Sequence, residues 1–437
     1  MKSRSARSLA LTLVLVSATA FSQNTANDSL TVGDAVRMAV TNNPAIVQAE
    51  TNVQASNARV EESQTVDLPS VGFEGSYTRI GPVPVLAFPG FGVFKLYPEN
   101  NYDTHVGVHQ KIYDFGRSAA NTDVTRSRVA FAEQGVDLMK SALSYQTIQL
   151  FYSILFLQQS IQVEEQDIQT LNEHLLVNKK RLEAGTGTDF EVLTTQVRVA
   201  ASQNQKIDLE NARQKQAIAL RRLLGLSEST PLNLRGEFLL TPVSLDSDSL
   251  TAVALRQRTE YKEAQSGELT AKLQYQLAQK SDMPTLNVNA LYGVKNGYIP
   301  NLDVLHGNWV AAIDLQVPIY EGGNTGYREE EAQATLSGSQ AHITDVERQI
   351  AAEVRQAISD MRAAEGKLEA TSLQVQQAKD ALSIAQRSFD AGTVSNLDVL
   401  DAETSLSQAH LFRLRALYEY VTSRYTLEHA IGTPIWR

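Results

Sequence analysis

Four segments of the chain alternate apolar and polar residues with a period of two. The first two lie within residues 69–113 and the other two within residues 284–320. In the last segment, for example, Ile313, Leu315 and Val317 alternate with Ala312, Asp314 and Gln316. Such alternation is typical of β-strands with one apolar and one polar face, so each pair is predicted to form a hairpin.

The length of these segments bears on their environment. Each has about 10–12 residues, which is the length of a tilted strand that crosses a lipid bilayer. A half-buried sheet in a soluble domain gives the same pattern, and any one strand alone favours that interpretation. Four such strands in two hairpins, beside long helices and behind an export signal, favour membrane-spanning strands instead.

Two long stretches, 115–184 and 323–391, contain no proline and are predicted to be helices. At about 1.5 Å per residue, each is a rod on the order of 100 Å long. Apolar residues recur along both rods with heptad spacing, which predicts a left-handed helical seam. The seam residues are Leu150, Ile154, Leu157, Ile161, Ile168, Leu171, Leu175 and Leu182 in the first rod, and the smaller set Ala357, Met361, Ala364, Leu368, Val375, Ala378, Leu382 and Phe389 in the second.

Two shorter helices are predicted to return from the ends of the rods, over residues 188–224 and 395–431. The first of them is too short to pair along a whole rod. Residues 31–64 are also predicted to be helical, and their length matches the part of the rod that is left over. We therefore expect two shorter helices to stack end to end against one long helix.

The chain is internally duplicated. The sequence Arg181–Gln196 around one helix end recurs as Ser388–Glu403, and Gly185 and Gly392 show the spacing of 207 residues. A repeat of this length predicts one structural unit built twice. We assign residues 23–246, including the connector after residue 224, to the first unit and residues 247–437 to the second.

The N-terminus and the composition indicate an exported protein. Residues 1–22 have the basic start, apolar stretch and small-residue exit of a cleaved signal peptide, and no later segment is apolar for long enough to form a spanning helix. The 437 residues include no cysteine, which excludes disulfides and a lipid-modified cysteine. The net charge of −10 argues against nucleic acid as a partner.

Catalytic chemistry is not indicated. The seven histidines are scattered, and no phosphate-binding glycine loop, nucleophile triad or paired carboxylates stand out. His105 and His109 are four residues apart, but on a strand they share a polar face, so lumen polarity is favoured over a metal pair. We expect no enzymatic activity, no metal and no cofactor.

Four strands with an apolar face leave two open edges, and an unpaired edge is not tolerated in lipid. The smallest membrane barrels have about eight strands, so one chain cannot close a barrel alone. A dimer, a trimer or a tetramer would provide about 8, 12 or 16 strands. The strands alone do not decide between these assemblies.

The chain resembles the TolC family of outer-membrane efflux and secretion channels. The similarity rests first on the duplication and on the repeated helix ends around Gly185 and Gly392. It rests also on Leu68-Pro69 and Met283-Pro284, where strands begin, and on the segments 112–116 (IYDFG) and 319–323 (IYEGG), where strands end. It implies an α+β membrane protein with a 12-strand transmembrane β-barrel and a 12-helix periplasmic α-barrel in a homotrimer. It also implies a periplasmic adaptor and an inner-membrane transporter as partners.

The two helix ends, the tips, carry the candidate site residues. Gly185-Thr186 and Gly392-Thr393 have the ordinary explanation of a glycine that ends a helix, and a binding role is compatible with it. The resemblance implies that both tips dock to the adaptor.

Asp398 and Asp401 share one face near the start of a helix, where acids favour the helix dipole and often simply face water. The resemblance implies instead an acidic ring at the tunnel entrance, in which repulsion raises some pKa values. In the first unit the counterparts are Glu191, still acidic, and Thr194.

One departure from the family concerns closure of the entrance. Members that close tightly use a tyrosine and an arginine bonded to an acid of the neighbouring hairpin, and Phe389 and Val394 occupy those positions here. Phe389 also lies on the heptad seam, which favours a packing role, while Glu191 remains available as the neighbouring acid. We therefore expect a looser or more apolar closure.

The leading interpretation is a passive exit duct in the outer membrane that extends into the periplasm and draws its energy from partners. The alternative is a structural or adhesive coiled-coil protein of the envelope without a pore. That alternative explains the helices but not the repeated amphipathic hairpins. Drug efflux and protein secretion are equally compatible with the sequence.

Overall fold

A computed structural model describes residues 29–90, 92–243 and 245–436. The predicted signal peptide, residues 1–22, lies outside the described residues. The described part combines long helices with a small number of strands, which agrees with the α+β class expected from the sequence. Within that part, no helix has the length and hydropathy needed to cross a membrane.

The elements on the two sides of the predicted unit boundary follow the same order, except that β2 and β3 have no counterpart among the described residues of the second unit. The first consists of α1 (Val32–Asn42), α2 (Pro44–Thr65), β1 (Ser70–Arg79), β2 (Val85–Phe88), β3 (Gly92–Lys95), β4 (Asn100–Tyr113), α3 (Arg117–Glu183) and α4 (Asp189–Leu224). The second consists of α5 (Ser247–Gln257), α6 (Thr259–Ala278), β5 (Thr285–Lys295), β6 (His306–Gln316), α7 (Asn324–Asp390) and α8 (Asn396–Ala430).

The chain forms two helices, α1 and α2, where the sequence pattern indicated one helix over 31–64. Pro44 lacks a backbone N–H and cannot continue a helix without strain, but it fits the first position of a new one. Asn43 caps that new helix, because its side-chain oxygen accepts from the N–H of Ala45 at 2.9 Å. The loop after β1 also contains a small hairpin, β2–β3, that the sequence did not indicate.

The main sheet is antiparallel with the strand order β1-β4-β5-β6. Trp309 and Ile313 are 74% and 73% exposed, and the apolar face as a whole is open in the chain. Its exposed residues are Val71, Phe73, Tyr77, Tyr102, Val106, Val108, Tyr292, Trp309, Ile313 and Leu315. Within the described residues of the chain, one edge of β1 and one edge of β6 carry no further strand.

Polar side chains link the strands on the opposite face. His105 Nε2 lies 3.2 Å from a carboxylate oxygen of Glu74 on β1. His109 on β4 bonds to Asn289 on β5, which in turn donates to Asp314 on β6. The two histidines therefore belong to a polar network across the sheet.

The helices form two four-helix layers that share α3 and α7. Next to the sheet the order is α2-α3-α6-α7, and toward the tips it is α4-α3-α8-α7. The shorter helices meet end to end, as expected, at the end of α4 with the start of α2 and at the end of α8 with the start of α6. The whole of 31–64 does not take part, because α1 packs beside α3 and α4. A Cβ atom on Gly225, after α4, would lie 3.2 Å from Asn42, and one on Gly432, after α8, would lie 2.8 Å from the backbone of Arg258.

The largest apolar core lies where these helix ends meet, about halfway along the rods. Phe151, Ile148 and Ile154 of α3 are fully buried there against α1, α4 and α8. The connector after α4 covers this core, and a Cβ on Gly236 would be 2.8 Å from Leu155. This core therefore fixes the junction after α4 to the middle of the rods, and a second apolar cluster that includes Ala254, Val354 and Leu427 packs at the junction after α8.

Candidate functional site

The two tips have the same backbone geometry. Gly185 and Gly392 have φ angles of 74° and 72°, a left-handed conformation that glycine adopts without strain. The N–H of Thr186 donates to the carbonyl of Arg181 at 2.9 Å, and the N–H of Thr393 donates to that of Ser388 at 2.9 Å. Each threonine hydroxyl donates to the same carbonyl, at 3.2 and 3.0 Å. Both turns are therefore closed helix ends with exposed outer surfaces.

Glu191 and Asp398 complete the caps of the returning helices. The N–H of Thr188 donates to Glu191 at 2.8 Å, and the N–H of Ser395 donates to Asp398 at 2.8 Å. The Ser395 hydrogen bonds hold the pKa of Asp398 below its ordinary value. This direction is opposite to the increase expected from repulsion within an acidic ring, because a cap hydrogen bond favours the ionised carboxylate.

Asp401 has a partner that the sequence did not reveal. Its Oδ1 lies 3.1 Å from Nη2 of Arg198, so an ion pair joins α8 of the second unit to α4 of the first. Both side chains are substantially exposed, and such pairs stabilise by about 0–1 kcal/mol. The pair therefore matters mainly because it places a positive charge beside Asp401. No spacing rule could have found it, since the contact crosses the two units.

Phe389 is buried, with 6% exposure, as its position on the heptad seam predicted. The guanidinium carbon of Arg181 lies 4.3 Å above the ring centroid, and the His174 ring lies 5.8 Å away. Phe389 belongs to α7, whereas Arg181 and His174 belong to α3. A cation–π contact therefore joins the helix pair α3/α4 to the helix pair α7/α8.

A buried polar network lies next to this contact. Asn178 is 1% exposed, and its amide donates to Thr195 Oγ1 at 3.0 Å and to Asn396 Oδ1 at 2.8 Å. The Asn396 oxygen also lies 2.6 Å from His174 Nε2. The network joins α3, α4 and α8. Its sequence signal was an asparagine on the seam between Leu175 and Leu182, where a polar residue typically specifies register.

The tip region is thus held together within one chain by several kinds of contact. A small apolar cluster of Leu171, Val199 and Leu400 adds to the ion pair, the cation–π contact and the polar network. Together they fix the hairpin α3/α4 against the hairpin α7/α8. Among the described residues, no group of three histidine or acidic side chains is arranged to hold a metal ion.

Comparisons with known proteins identify the family. The family described as "Outer membrane efflux protein" matches residues 35–226 and 250–433, one match in each unit. The chain belongs to this family. The family and its relatives indicate the outer membrane as the location, and the TolC-like resemblance seen in the sequence is confirmed.

Outer membrane proteins and a protease secretion protein are similar to the chain. The outer membrane protein TolC of Vibrio cholerae is 24% identical over 333 residues, covering 75% of this chain and 76% of the relative. The proteases secretion protein PrtF of Dickeya chrysanthemi is 23% identical over 355 residues, covering 76% and 73%. The crystal structure of the outer membrane protein VceC of Vibrio cholerae has the same fold, with a TM-score of 0.76, 19% identity and coverage of 92% and 96%.

Proposed function

We propose that the protein is the passive outer-membrane channel of an efflux or type I secretion system. The observation that carries this proposal is the sheet of four strands, which exposes an apolar face and continues directly into rods of 67 residues. An apolar face of this size favours lipid as its surroundings. The rods then extend the duct into the periplasm, and the chemistry of export is left to partners.

The proposed assembly is a homotrimer. Three chains with four strands each supply about 12 strands, enough for a closed barrel without edges. The same three chains would close the four-helix layers into a tunnel of about 12 helices, the arrangement that the family resemblance implies. Each subunit would then cover the open strand edge and the exposed helix faces of its neighbour.

The tips are the proposed docking sites for a periplasmic adaptor that leads to an inner-membrane transporter. Gly185-Thr186 and Gly392-Thr393 support this role because they are the most distal surface of the rods. With a photo-crosslinking residue at Thr186 or Thr393, we expect adducts with a periplasmic adaptor in intact cells. Ser229, in the connector near mid-rod, is the control position. Adducts that form from Ser229 but from neither tip would contradict the assignment.

The proposed entrance comprises Asp398, Asp401, Glu191 and Phe389, and its closure rests partly on the Phe389 contact. Phe389→Ala removes a cation–π interaction and buried apolar area, which together stabilise the closed tip by about 2 kcal/mol. We therefore expect the opening equilibrium to increase by roughly 30-fold. The measurement is single-channel conductance and open time in planar bilayers.

Phe190→Ala is the matched control for this experiment, because Phe190 lies near the other tip but is 72% exposed. Its truncation removes little buried area, so conductance should stay near that of the wild type. If Phe389→Ala has the same conductance as the wild type, this result would count strongly against the apolar closure. Absence of any conductance from the assembled wild type would count against the channel itself.

A further inference from the structure

Glu403 is an acid in the interior of the helical layer. It lies in α8, two residues beyond Asp401, and its side chain faces α3 with 4% of the residue exposed. Its Oε2 atom is buried and has no hydrogen-bond partner among the described residues. A buried carboxylate without a partner is costly when ionised, so the position calls for a physical explanation.

A small cavity adjoins Glu403 between the two hairpins. Its volume is about 150 Å³, and its titratable lining consists of Asp167 on α3 and of Glu403 and His410 on α8. Leu382 of α7 closes another side. Asp167 accepts a hydrogen bond from Ser202 of α4 at 2.8 Å. The two carboxyl groups therefore face a shared space that belongs to both hairpins.

Among the described residues, no lysine or arginine forms an ion pair with Glu403 or Asp167. Lys206 of α4 lies 2.8 Å from Glu165 on the outer side of α3, and Arg198 is paired with Asp401. Burial raises the pKa of Glu403 to about 7, and repulsion from Asp167 acts in the same direction. Burial also raises the pKa of Asp167, and burial together with Asp167 raises that of the nearby Glu164.

We propose that Glu403 and Asp167 form a proton-binding site that ties α8 to α3, so that the two hairpins stay together while the site is protonated and loosen when both acids are ionised. The proton allows one carboxyl to be a donor and removes the repulsion between two buried charges. The consequence for the entrance rests on the proposed channel function. The site itself does not.

The direction and size of the effect follow from linkage. In the closed tip the pKa of Glu403 is raised to about 7 from the ordinary 4.5, so closure binds a proton and opening releases it. Low pH therefore favours the closed tip. As pH rises through this window, the opening equilibrium increases by roughly 40-fold between pH 5 and pH 7 and levels off above about pH 8.

Hydrogen–deuterium exchange of the assembled protein in detergent tests the site directly. We expect the protection of amides in residues 400–410, corrected for intrinsic exchange rates, to fall over this pH range in the wild type. Glu403→Gln keeps the shape but cannot titrate, so its protection should be high and independent of pH. Asp167→Asn removes the repulsion and should move the wild-type midpoint toward acid pH.

Glu369→Gln is the matched control, because Glu369 is an exposed acid of α7 and its loss should leave the wild-type profile unchanged. A Glu403→Gln profile with the wild-type midpoint and amplitude would overturn the proposal, as would an Asp167→Asn midpoint that does not move. If Glu403→Gln does not assemble, the midpoint of the Asp167→Asn profile decides whether the proposal holds. Conductance at the same pH values tests the entrance separately, because amide protection can change with pH even if the protein does not form a channel.

Discussion

Ile313→Lys is expected to prevent the protein from assembling in the outer membrane. Ile313 lies on the apolar face of β6, opposite Val288 of β5, and is open to the surroundings of the sheet. A lysine on the lipid face near the bilayer midplane costs about 2–4 kcal/mol for each chain, and a trimer would incur this cost three times. The measurements are the amount of protein in the outer-membrane fraction and the heat-modifiable oligomer on gels.

Ala312→Lys provides a control one residue away. Ala312 pairs with Asn289 on the polar face, beside Asp314, so a lysine there meets polar groups and an acid. We expect its assembly to be close to that of the wild type. If both lysines are tolerated equally, or if the Ala312 variant is the one that fails, the assignment of the two faces is wrong. A purified monomer that stays folded and soluble without detergent would refute the membrane sheet altogether.

The second large effect is expected from Phe151→Ala. Phe151 is fully buried at the mid-rod core, with its ring centroid 5.6 Å from that of Tyr152 and its edge against the connector at Gly236. Truncation of a buried phenylalanine costs about 3–5 kcal/mol, because the cavity left behind only partly collapses. We therefore expect a decrease of roughly 3–5 °C in the unfolding temperature of the assembled protein in detergent.

Phe131→Ala is the matched control for Phe151→Ala. Phe131 lies on the same helix, α3, but is 42% exposed, so its loss should lower the unfolding temperature only slightly. Circular dichroism at the helical band follows unfolding in both variants. Equal decreases for Phe131 and Phe151 would show that the mid-rod core does not control the stability of the helical part.

The periodic parts of the structure were the parts that the sequence could predict. Alternation with a period of two located the four strands of the main sheet, and the heptad seam located the buried face of α3, because such patterns record burial along one element. The division at Pro44 was missed because the periodicity on both sides is helical and the cap depends on one side chain. The β2–β3 hairpin was missed because its strands have only four residues each, which is too short to show an alternating pattern.

Contacts between the two units were the part that could not be predicted. Arg198 and Asp401 lie 203 residues apart, and nothing in the local pattern of either marks a partner. Glu403 resembled any exposed acid of a long helix, and only the packing of α8 against α3 shows that it is buried. The resemblance to a family supplied the positions of the proposed entrance, but the contacts among those residues are visible only in the three-dimensional packing.

The end-to-end meeting of the shorter helices divides each rod into two segments. Next to the sheet, α3 and α7 pack against α2 and α6, and beyond Gly225 and Gly432 they pack against α4 and α8. Whole heptads added to or removed from a hairpin beyond the junction therefore change the length of the rods without altering the segment beside the sheet. In the proposed channel, such a division would let one membrane-spanning sheet serve periplasmic spaces of different depth.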